Sequence, residues 1–417
     1  MITLIEALNY RCLRYIRQPM DRFHVLVGPN ASGKTTFLDV IEFLGSIVNE
    51  GLEEAFRKRS PDPRDLLFRG KGDQLELAIE SLIPRNLCSG LNESHSHIRY
   101  EISISISQDT GRPSIRQESL MFKGTSGTSR ITPSLFPEII TPPSTIVTRG
   151  RGVKRILSKN ERSGKDNYYP EIKKGEGGGW MPSFQLGPNR SSLANLPEDE
   201  TRFPVATWFK DLLSRRVQNI ILDSLTMRKA SPPGQSFRFK TDGSNLPWVV
   251  EDFKKKNSEA YQDWINHLQM ALPDLVGVRT VERNDDKHRY MVLKYSGGFE
   301  TPSWTASDGT LRLLALTLPA YLPNLDGIYL IEEPENGIHP KAVETLYQSI
   351  SNVYDAQMLL ATHSPVILSL TEPSDVLCFA KDESGATDII SGDQHPQLTN
   401  WQHDVSLGDL FAAGVLG

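Results

Sequence analysis

The feature that most constrains this sequence is a glycine-rich loop that joins two segments of different periodicity. Residues 28–36 read GPNASGKTT and fit the pattern G-x-x-x-x-G-K-[ST]. The apolar run at 23–27 predicts a buried strand before the loop, and apolar residues spaced i, i+3, i+4 and i+7 over 37–44 predict a helix after it. A strand, this loop and a helix form the context in which the pattern binds nucleotide phosphates.

The residue types in the loop suit a triphosphate. Gly28 and Gly33 let backbone N–H groups curve around phosphate oxygens, and the start of the helix adds about half a positive charge. Lys34 is expected to reach the β and γ phosphates of ATP, and the Thr35 hydroxyl to bind Mg²⁺. The other nucleotide contacts expected in the loop are Asn30, Ala31, Ser32 and Thr36.

Two adjacent carboxylates follow a second apolar strand. Residues 327–331 read GIYLI, and Glu332 and Glu333 come directly after them. Ligands bind at the carboxyl ends of strands in open α/β sheets. We therefore expect Glu332 to hold Mg²⁺, directly or through water, and Glu333 to act as the general base on the attacking water. The alternative is that both residues begin a solvated loop.

Two more polar clusters accompany these motifs. His363 ends the apolar segment LLATHSP, where a neutral imidazole could hydrogen-bond the γ-phosphate or the attacking water. Ser307 and Gly309 lie in TASDGTLR at the start of a helical pattern, a position suited to an anion. Taken alone, a histidine at a strand end is more often structural, and the serine is more often an ordinary helix cap.

The segment between the motifs has several patterns. Alternating apolar residues between about 74 and 123 predict antiparallel strands. Residues 124–200 are rich in Gly, Ser, Pro and charge, which predicts long loops with little core. Helical patterns over 204–222 and 247–272 predict an arm.

The C-terminal part is expected to be an α/β unit. A strand pair is predicted over 276–296, and from 305 onward helices alternate with buried strands, as in a parallel sheet. We divide the chain into an N-terminal lobe at 1–135, an inserted loop-rich and helical segment at 136–275, and a C-terminal lobe at 276–417.

In chain order, four motifs resemble those of ABC-type ATPases. GPNASGKTT resembles the Walker A loop and SDGTLR resembles the signature. YLIEEPE resembles the Walker B strand and ATHSP resembles the H-loop. The large insertion between the first two resembles the split-head group, which includes the structural-maintenance-of-chromosomes (SMC) proteins, the recombination-mediator ATPases and the overcoming-lysogenization-defect family. The segment IEEPENGIHP most resembles the corresponding segment of compact AAA ATPases from bacterial antiphage systems such as Septu and Gabija. The resemblance covers roughly residues 1–80 and 275–417.

The resemblance implies an α/β fold with a split ABC-type P-loop head that pairs head to tail on ATP, as a homodimer or a higher even oligomer. Ser307 and Gly309 of one copy would close on the γ-phosphate held by Lys34 of the other. Arg11 matches a turn that follows the first strand in the family and could reach the nucleotide phosphates, or could be a surface charge. Asn336 is a candidate contact to the partner head.

The resemblance assigns catalysis to Lys34, Glu333 and His363. Glu332 stands where the family usually has aspartate, and no glutamine can be assigned to the Q-loop. Little sequence follows the last predicted sheet element, so we expect any nuclease to be a separate chain.

Composition limits the function classes. A hydrophobic share of 38% and a charged share of 23% are typical of a soluble globular protein, and no apolar run is long enough for a membrane span. The N-terminus lacks a basic region like that of a secretory signal, so we expect a cytoplasmic protein. A net charge of −5 excludes a uniformly basic surface, but the basic stretch 149–165 could contact DNA phosphates or be a solvated loop.

The leading hypothesis is an ATPase that hydrolyses ATP and regulates or senses for a partner effector, a nuclease in antiphage defence. One alternative is a DNA repair or recombination ATPase. Another is a nucleotide-gated scaffold with little turnover.

Overall fold

The computed structural model describes residues 1–88, 95–124, 135–148, 153–161, 164–172, 181–323, 325–398 and 405–416. The strands are β1 (Ile2–Tyr10), β2 (Leu13–Pro19), β3 (Phe23–Val27), β4 (Gln74–Leu82), β5 (His97–Ile106), β6 (Pro113–Lys123), β7 (Arg155–Asn160), β8 (Lys165–Tyr168), β9 (Ser183–Phe184), β10 (Val217–Ile220), β11 (Leu275–Glu282), β12 (Arg289–Tyr295), β13 (Glu300–Pro302), β14 (Gly327–Glu332), β15 (Ala356–Ala361), β16 (Val376–Lys381) and β17 (Thr387–Ser391). The α-helices are α1 (Lys34–Glu50), α2 (Leu52–Arg57), α3 (Pro204–Arg215), α4 (Ser224–Arg228), α5 (Leu246–Lys256), α6 (Ser258–Leu268), α7 (Asp308–Thr317), α8 (Pro340–Ser351), α9 (Pro365–Ser369) and α10 (Leu407–Ala412).

A six-stranded sheet brings the two ends of the chain together. Its order is β10-β14-β15-β3-β16-β17, with only the last pair antiparallel. Leu26 of β3 pairs with Ala361, and Ala361 also pairs with Glu332. The prediction of a parallel α/β sheet is confirmed. Because the parallel strands end in register, the glycine loop and the residues after β14 and β15 lie at one edge.

An eight-stranded antiparallel sheet has the order β2-β1-β4-β5-β6-β7-β8-β9, which confirms the strands predicted over 74–123. The loop prediction for 124–200 holds only in part, because β7, β8 and β9 extend this sheet. Leu157 and Tyr168 are fully buried there. The buried Lys159 pairs with Asp166 at 2.7 Å, so polar residues in this segment satisfy one another instead of facing solvent. Part of the predicted loop, including three consecutive glycines at 177–179, lies outside the described residues.

The helical prediction over 204–222 is correct for α3 but wrong for 217–220. That segment is β10, which pairs in parallel register with β14, so tertiary pairing overrides the local pattern. The helices predicted as an arm are folded onto the head. Phe209 of α3 packs in the same core as α1, while Phe253 of α5 and Trp264 of α6 are buried in a second core.

The strand pair predicted over 276–296 is confirmed as β11 and β12 of a three-stranded sheet. The two cores lie on opposite faces of the parallel sheet. Along β14, Ile328 and Leu330 belong to the core shared with the antiparallel sheet, and Tyr329 and Ile331 to the core beneath α5 to α8. No helix in the described residues has the length and apolar character needed to cross a membrane.

Candidate functional site

The glycine loop depends on backbone shapes and close contacts that exclude side chains. Gly28 and Gly33 have φ angles of 147° and 112°. A Cβ on Gly28 would lie 2.3 Å from the carbonyl oxygen of Phe379, and a Cβ on Gly33 would lie 2.3 Å from Oγ1 of Thr387. Ala31 is also left-handed, with φ of 62°. The loop that follows β3 is therefore packed closely against the β16–β17 hairpin.

The other predicted loop residues differ in their exposure. Asn30 is exposed, Ser32 is buried, and Thr36 is half-buried in the first turn of α1. The hydroxyl of Thr387 donates a hydrogen bond of 2.7 Å to the carbonyl of Ser32, and the backbone N–H of Thr387 donates one of 2.9 Å to the carbonyl of Cys12. Sequence reasoning missed Thr387, because nothing in its local pattern links it to the loop.

The ammonium group of Lys34 hydrogen-bonds the backbone of the loop. Its Nζ donates to the carbonyl oxygens of Gly28 at 2.8 Å and Pro29 at 3.2 Å. Burial lowers the pKa of Lys34, and the nearby carboxylates of Glu333 and Glu332 oppose that change. One lysine is thus positioned between the phosphate loop and both predicted carboxylates.

Thr35 and Glu332 meet directly. The Thr35 hydroxyl at the start of α1 donates a hydrogen bond of 2.5 Å to a carboxylate oxygen of Glu332 at the end of β14. Mg²⁺ prefers oxygen ligands and is usually bound through one or two protein groups together with phosphates and water. A hydroxyl and a carboxylate in contact beside a phosphate loop fit that ion.

Glu333 occupies a strained turn directly after the strand. Its φ angle is 47°, a left-handed conformation that is uncommon for residues other than glycine. Its backbone N–H donates to the carbonyl of Ala361 at 2.8 Å, and the side-chain amide of Asn336 donates to its carboxylate. The carboxylate is exposed at the same edge as the loop. Asn336 was expected to contact a partner head. In this chain its side chain hydrogen-bonds the Glu333 carboxylate.

Hydrogen bonds of His363 and of the neighbouring Thr362 place His363 at this edge of the parallel sheet. The N–H of Thr362 donates to the carbonyl of Leu26 at 3.1 Å, which fixes the end of β15 beside β3. The backbone N–H of His363 donates to Glu335 at 3.1 Å, and the half-buried imidazole ring lies 6.4 Å from the ring of Phe411. Glu335 is a second residue that sequence reasoning missed, although it stands within the quoted YLIEEPE motif.

Ser307 and Gly309 are apart from the loop in the described chain. Ser307 is exposed and caps α7, where its hydroxyl oxygen accepts a hydrogen bond of 3.1 Å from the N–H of Thr310. A Cβ on Gly309 would lie 2.4 Å from the carbonyl oxygen of Gly337, so this glycine permits close packing of α7 on the turn after β14. No hydrogen bond or ion pair found among the described residues joins Ser307 to Lys34.

Arg11 lies beside α1. Its guanidinium is 3.5 Å from the carboxylate of Asp39, which also accepts a hydrogen bond of 2.5 Å from Tyr10 and pairs with Arg59 at 2.6 Å. Burial and the Asp39 charge raise the pKa of Tyr10, so its phenol stays a donor to that carboxylate. The structure therefore places Arg11, in the turn between β1 and β2, beside Asp39 in the second turn of α1.

The described part of the basic stretch is engaged within the protein. The side chain of Lys159 donates to Asp166 and to the carbonyl of Gly187, each at 2.7 Å. Lys154 donates to the carbonyl of Glu171 at 2.8 Å. These cations stabilise the antiparallel sheet. Three other predicted cations, Arg149, Arg151 and Arg162, lie outside the described residues.

A comparison with known protein families finds one match that covers most of the chain. Residues 23–369 match the model described as "AAA domain, putative AbiEii toxin, Type IV TA system". No curated protein matches the sequence significantly.

Among solved structures, the chain is similar to an SMC head bound to the C-winged helix domain of ScpA, with a TM-score of 0.54, 14% identity, and coverage of 93% of this chain and 97% of that one. A second similar structure is the Smc head domain with an extended coiled coil bound to the C-terminal domain of ScpA from Pyrococcus furiosus, with a TM-score of 0.52, 12% identity, and coverage of 99% and 98%. At these identities the likeness shows the fold, which is that of these SMC head domains. With most of its length matched, the chain belongs to the AAA domain family described as a putative AbiEii toxin of type IV TA systems.

Proposed function

We propose that the protein binds ATP with Mg²⁺ at the edge of the parallel sheet and hydrolyses it. The observation that carries this proposal is the 2.5 Å hydrogen bond between Thr35 and Glu332, because it joins the start of the phosphate-loop helix to the carboxylate strand. The Lys34 ammonium lies close enough to Glu332 and Glu333 for both charges to affect its pKa. Groups from two distant parts of the sequence thus lie together at one edge of the parallel sheet.

The chemistry assigned to this site is attack of water on the γ-phosphorus. Glu333 orients the water and accepts its proton, the bond from the γ-phosphorus to the bridging oxygen breaks, and ADP and phosphate are released. Lys34 binds the β and γ phosphates, and His363 hydrogen-bonds the γ-phosphate or the water. Thr35 and Glu332 would hold Mg²⁺, which would neutralise charge on the phosphates.

We also propose that hydrolysis takes place in a head-to-tail pair. Ser307 is exposed and its hydroxyl bonds lie within α7, so in the described chain it is free to meet a second molecule. Its partner in that pair is the γ-phosphate bound by Lys34 of the other copy. Small oligomers with closed symmetry are the commonest assembly of soluble proteins, which fits a dimer with two such sites.

For the biological role, we propose that ATP-driven pairing controls a separate effector protein, a nuclease in antiphage defence. Two findings are compatible with a partner protein. The matched family is described by a putative toxin of a type IV toxin–antitoxin system. A head of similar fold is also found bound to another protein, ScpA. Stimulation of hydrolysis by DNA without any effector favours the repair and recombination alternative. Negligible turnover with intact partner assembly favours the scaffold alternative.

The proposed nucleotide site is tested with Lys34→Ala and a control, Lys58→Ala. Lys58 is an exposed lysine that pairs with Glu50, away from the loop. We expect Lys34→Ala to weaken binding of a fluorescent ATP analogue by at least about 100-fold, because a charge-assisted phosphate contact is lost. The control variant should bind like the wild type. Equal affinity in the two variants contradicts the assignment of the loop.

A further inference from the structure

One carboxylate oxygen connects the turn after β14 to the segment after β15. Oε1 of Glu335 accepts a hydrogen bond of 2.6 Å from the hydroxyl of Thr362 and another of 3.1 Å from the backbone N–H of His363. The second oxygen, Oε2, is shielded from solvent and makes no hydrogen bond within the described residues. The two bonds to Oε1 therefore hold this side chain, and through it they hold the backbone at His363.

The same two segments are joined a second time through the backbone. The N–H of Glu333 donates to the carbonyl of Ala361, and the carbonyl of Glu335 accepts from the N–H of Ile338, which closes the turn. Thr362 is itself fixed, because its N–H binds the carbonyl of Leu26 and its hydroxyl oxygen accepts from the N–H of Ser364 at 2.9 Å. The proposed base and the proposed histidine thus belong to one hydrogen-bonded unit.

We propose that Glu335 is a positioning residue for hydrolysis, which sets the place of His363 relative to the carboxylate of Glu333. This inference rests on the proposed function. Glu335 bonds to the backbone of His363 and to the side chain that precedes it, so it acts through His363 and not on the nucleotide.

The test is a double-mutant cycle between Glu335→Ala and His363→Ala, measured as kcat and KM for ATP hydrolysis. We expect Glu335→Ala to lower kcat by about 10- to 100-fold, since misplacement of a catalytic group by about 1 Å has effects of this size. KM should change by less than about threefold. In the His363→Ala background, Glu335→Ala should lower kcat by less than about threefold, because the residue it positions is already absent.

A conservative variant separates positioning from general damage. Glu335→Gln keeps an oxygen that can accept both hydrogen bonds, so it should retain kcat within about threefold of the wild type. If Glu335→Ala fails to fold, Thr362→Val takes its place, since it removes one of the two donors and leaves the carboxylate; Thr362→Ser is its matched control.

Full additivity in the cycle overturns the proposal, because it means that Glu335 acts independently of His363. Wild-type kcat in Glu335→Ala or in its replacement Thr362→Val also overturns it. The proposed function fails in a different way, through absence of turnover in the wild-type protein while ATP still binds. The two outcomes are therefore distinguishable in one set of measurements.

Discussion

The two large sheets both carry clusters of charged residues, but the clusters are built differently. At the edge of the parallel sheet, Lys34, Thr35 and Glu332 come from contiguous motifs and lie where strands end. On the antiparallel sheet, Arg99 is buried within β5, away from the ligand edge. Its guanidinium donates to three carboxylates at 2.8–3.0 Å: Glu6, Glu80 and Glu101.

A strap over residues 144–148 explains the burial of this second cluster. The hydroxyl of Thr145 and the N–H of Ile146 donate to Glu76, and the N–H of Thr148 donates to Glu101 at 2.9 Å. The carbonyl of Ile146 accepts from the Arg99 guanidinium at 3.0 Å. Under the proposed function, charges at the strand ends bind a ligand, whereas charges within the strands stabilise the fold. This contrast predicts that mutations in the Arg99 cluster lower the free energy of unfolding, whereas mutations at the edge of the parallel sheet lower ATP binding or turnover.

The largest expected effect on stability is that of Arg99→Ala. Removal of the guanidinium leaves three buried carboxylates without their common cation, so the free energy of unfolding should fall by about 3–5 kcal/mol. Urea denaturation measures this loss. Arg116→Ala in the next strand is the control, because its ion pair with Glu161 is exposed and should contribute at most about 1 kcal/mol. Equal losses in the two variants would break the contrast.

Glu171 gives a pH test of the same region. Burial raises its pKa to about 7, although the carboxylate accepts hydrogen bonds from Val205 at 2.8 Å and Ala206 at 2.7 Å at the start of α3. The folded state therefore holds a proton that the unfolded state releases nearer pH 4.5. Between about pH 4.5 and 7 this residue makes the free energy of unfolding fall as pH rises.

Glu171→Gln removes this titration. The slope of unfolding free energy against pH should become less negative across that window, with a total change on the order of 2 kcal/mol. Urea denaturation at about pH 5 and about pH 7.5 measures the change in unfolding free energy between these two pH values, which enclose most of the Glu171 titration. Glu161→Gln, at an exposed position, should keep the wild-type slope. A wild-type slope in Glu171→Gln would show that Glu171 titrates at its ordinary pKa.

The smallest expected effect is at the ligand edge. Thr387→Val removes the hydroxyl that supports the Ser32 carbonyl behind the loop, at a cost of about 0.5–1.5 kcal/mol. We expect the free energy of unfolding to fall by this amount and ATP affinity to fall a few-fold, because the loop loses support on one side. Titration with a fluorescent ATP analogue measures this, and Thr387→Ser should restore affinity. A loss confined to stability would place Thr387 with the structural cluster.

The candidate site was largely predictable where chemistry follows a motif. The glycine loop and the two carboxylates stand at strand ends, so their spacing and sequence context are enough to indicate a common edge. Thr387 and Glu335 were missed for different reasons. Thr387 acts only through a long-range contact with Ser32. Glu335 stands inside a recognised motif, but its role depends on β14 and β15 being neighbours in the sheet.

The fold was predictable where local periodicity and tertiary environment agree. They disagree over 124–200, where Lys159 and Asp166 are typical of a solvated loop but pair inside the antiparallel sheet. They disagree again at 217–220, where residues that continue a helical pattern are drawn into a strand beside β14. In both places long-range partners decide the structure, and a single sequence does not show them.

The measurement that tests the central claim most directly is ATP turnover and molecular mass of Glu333→Gln in the presence of ATP and Mg²⁺. We expect turnover to fall by a factor on the order of 100 to 10,000, because the general base is lost. The variant should then accumulate as an ATP-bound dimer in light scattering, while Glu53→Gln, on the exposed start of α2, behaves like the wild type. Wild-type turnover in Glu333→Gln would contradict the account.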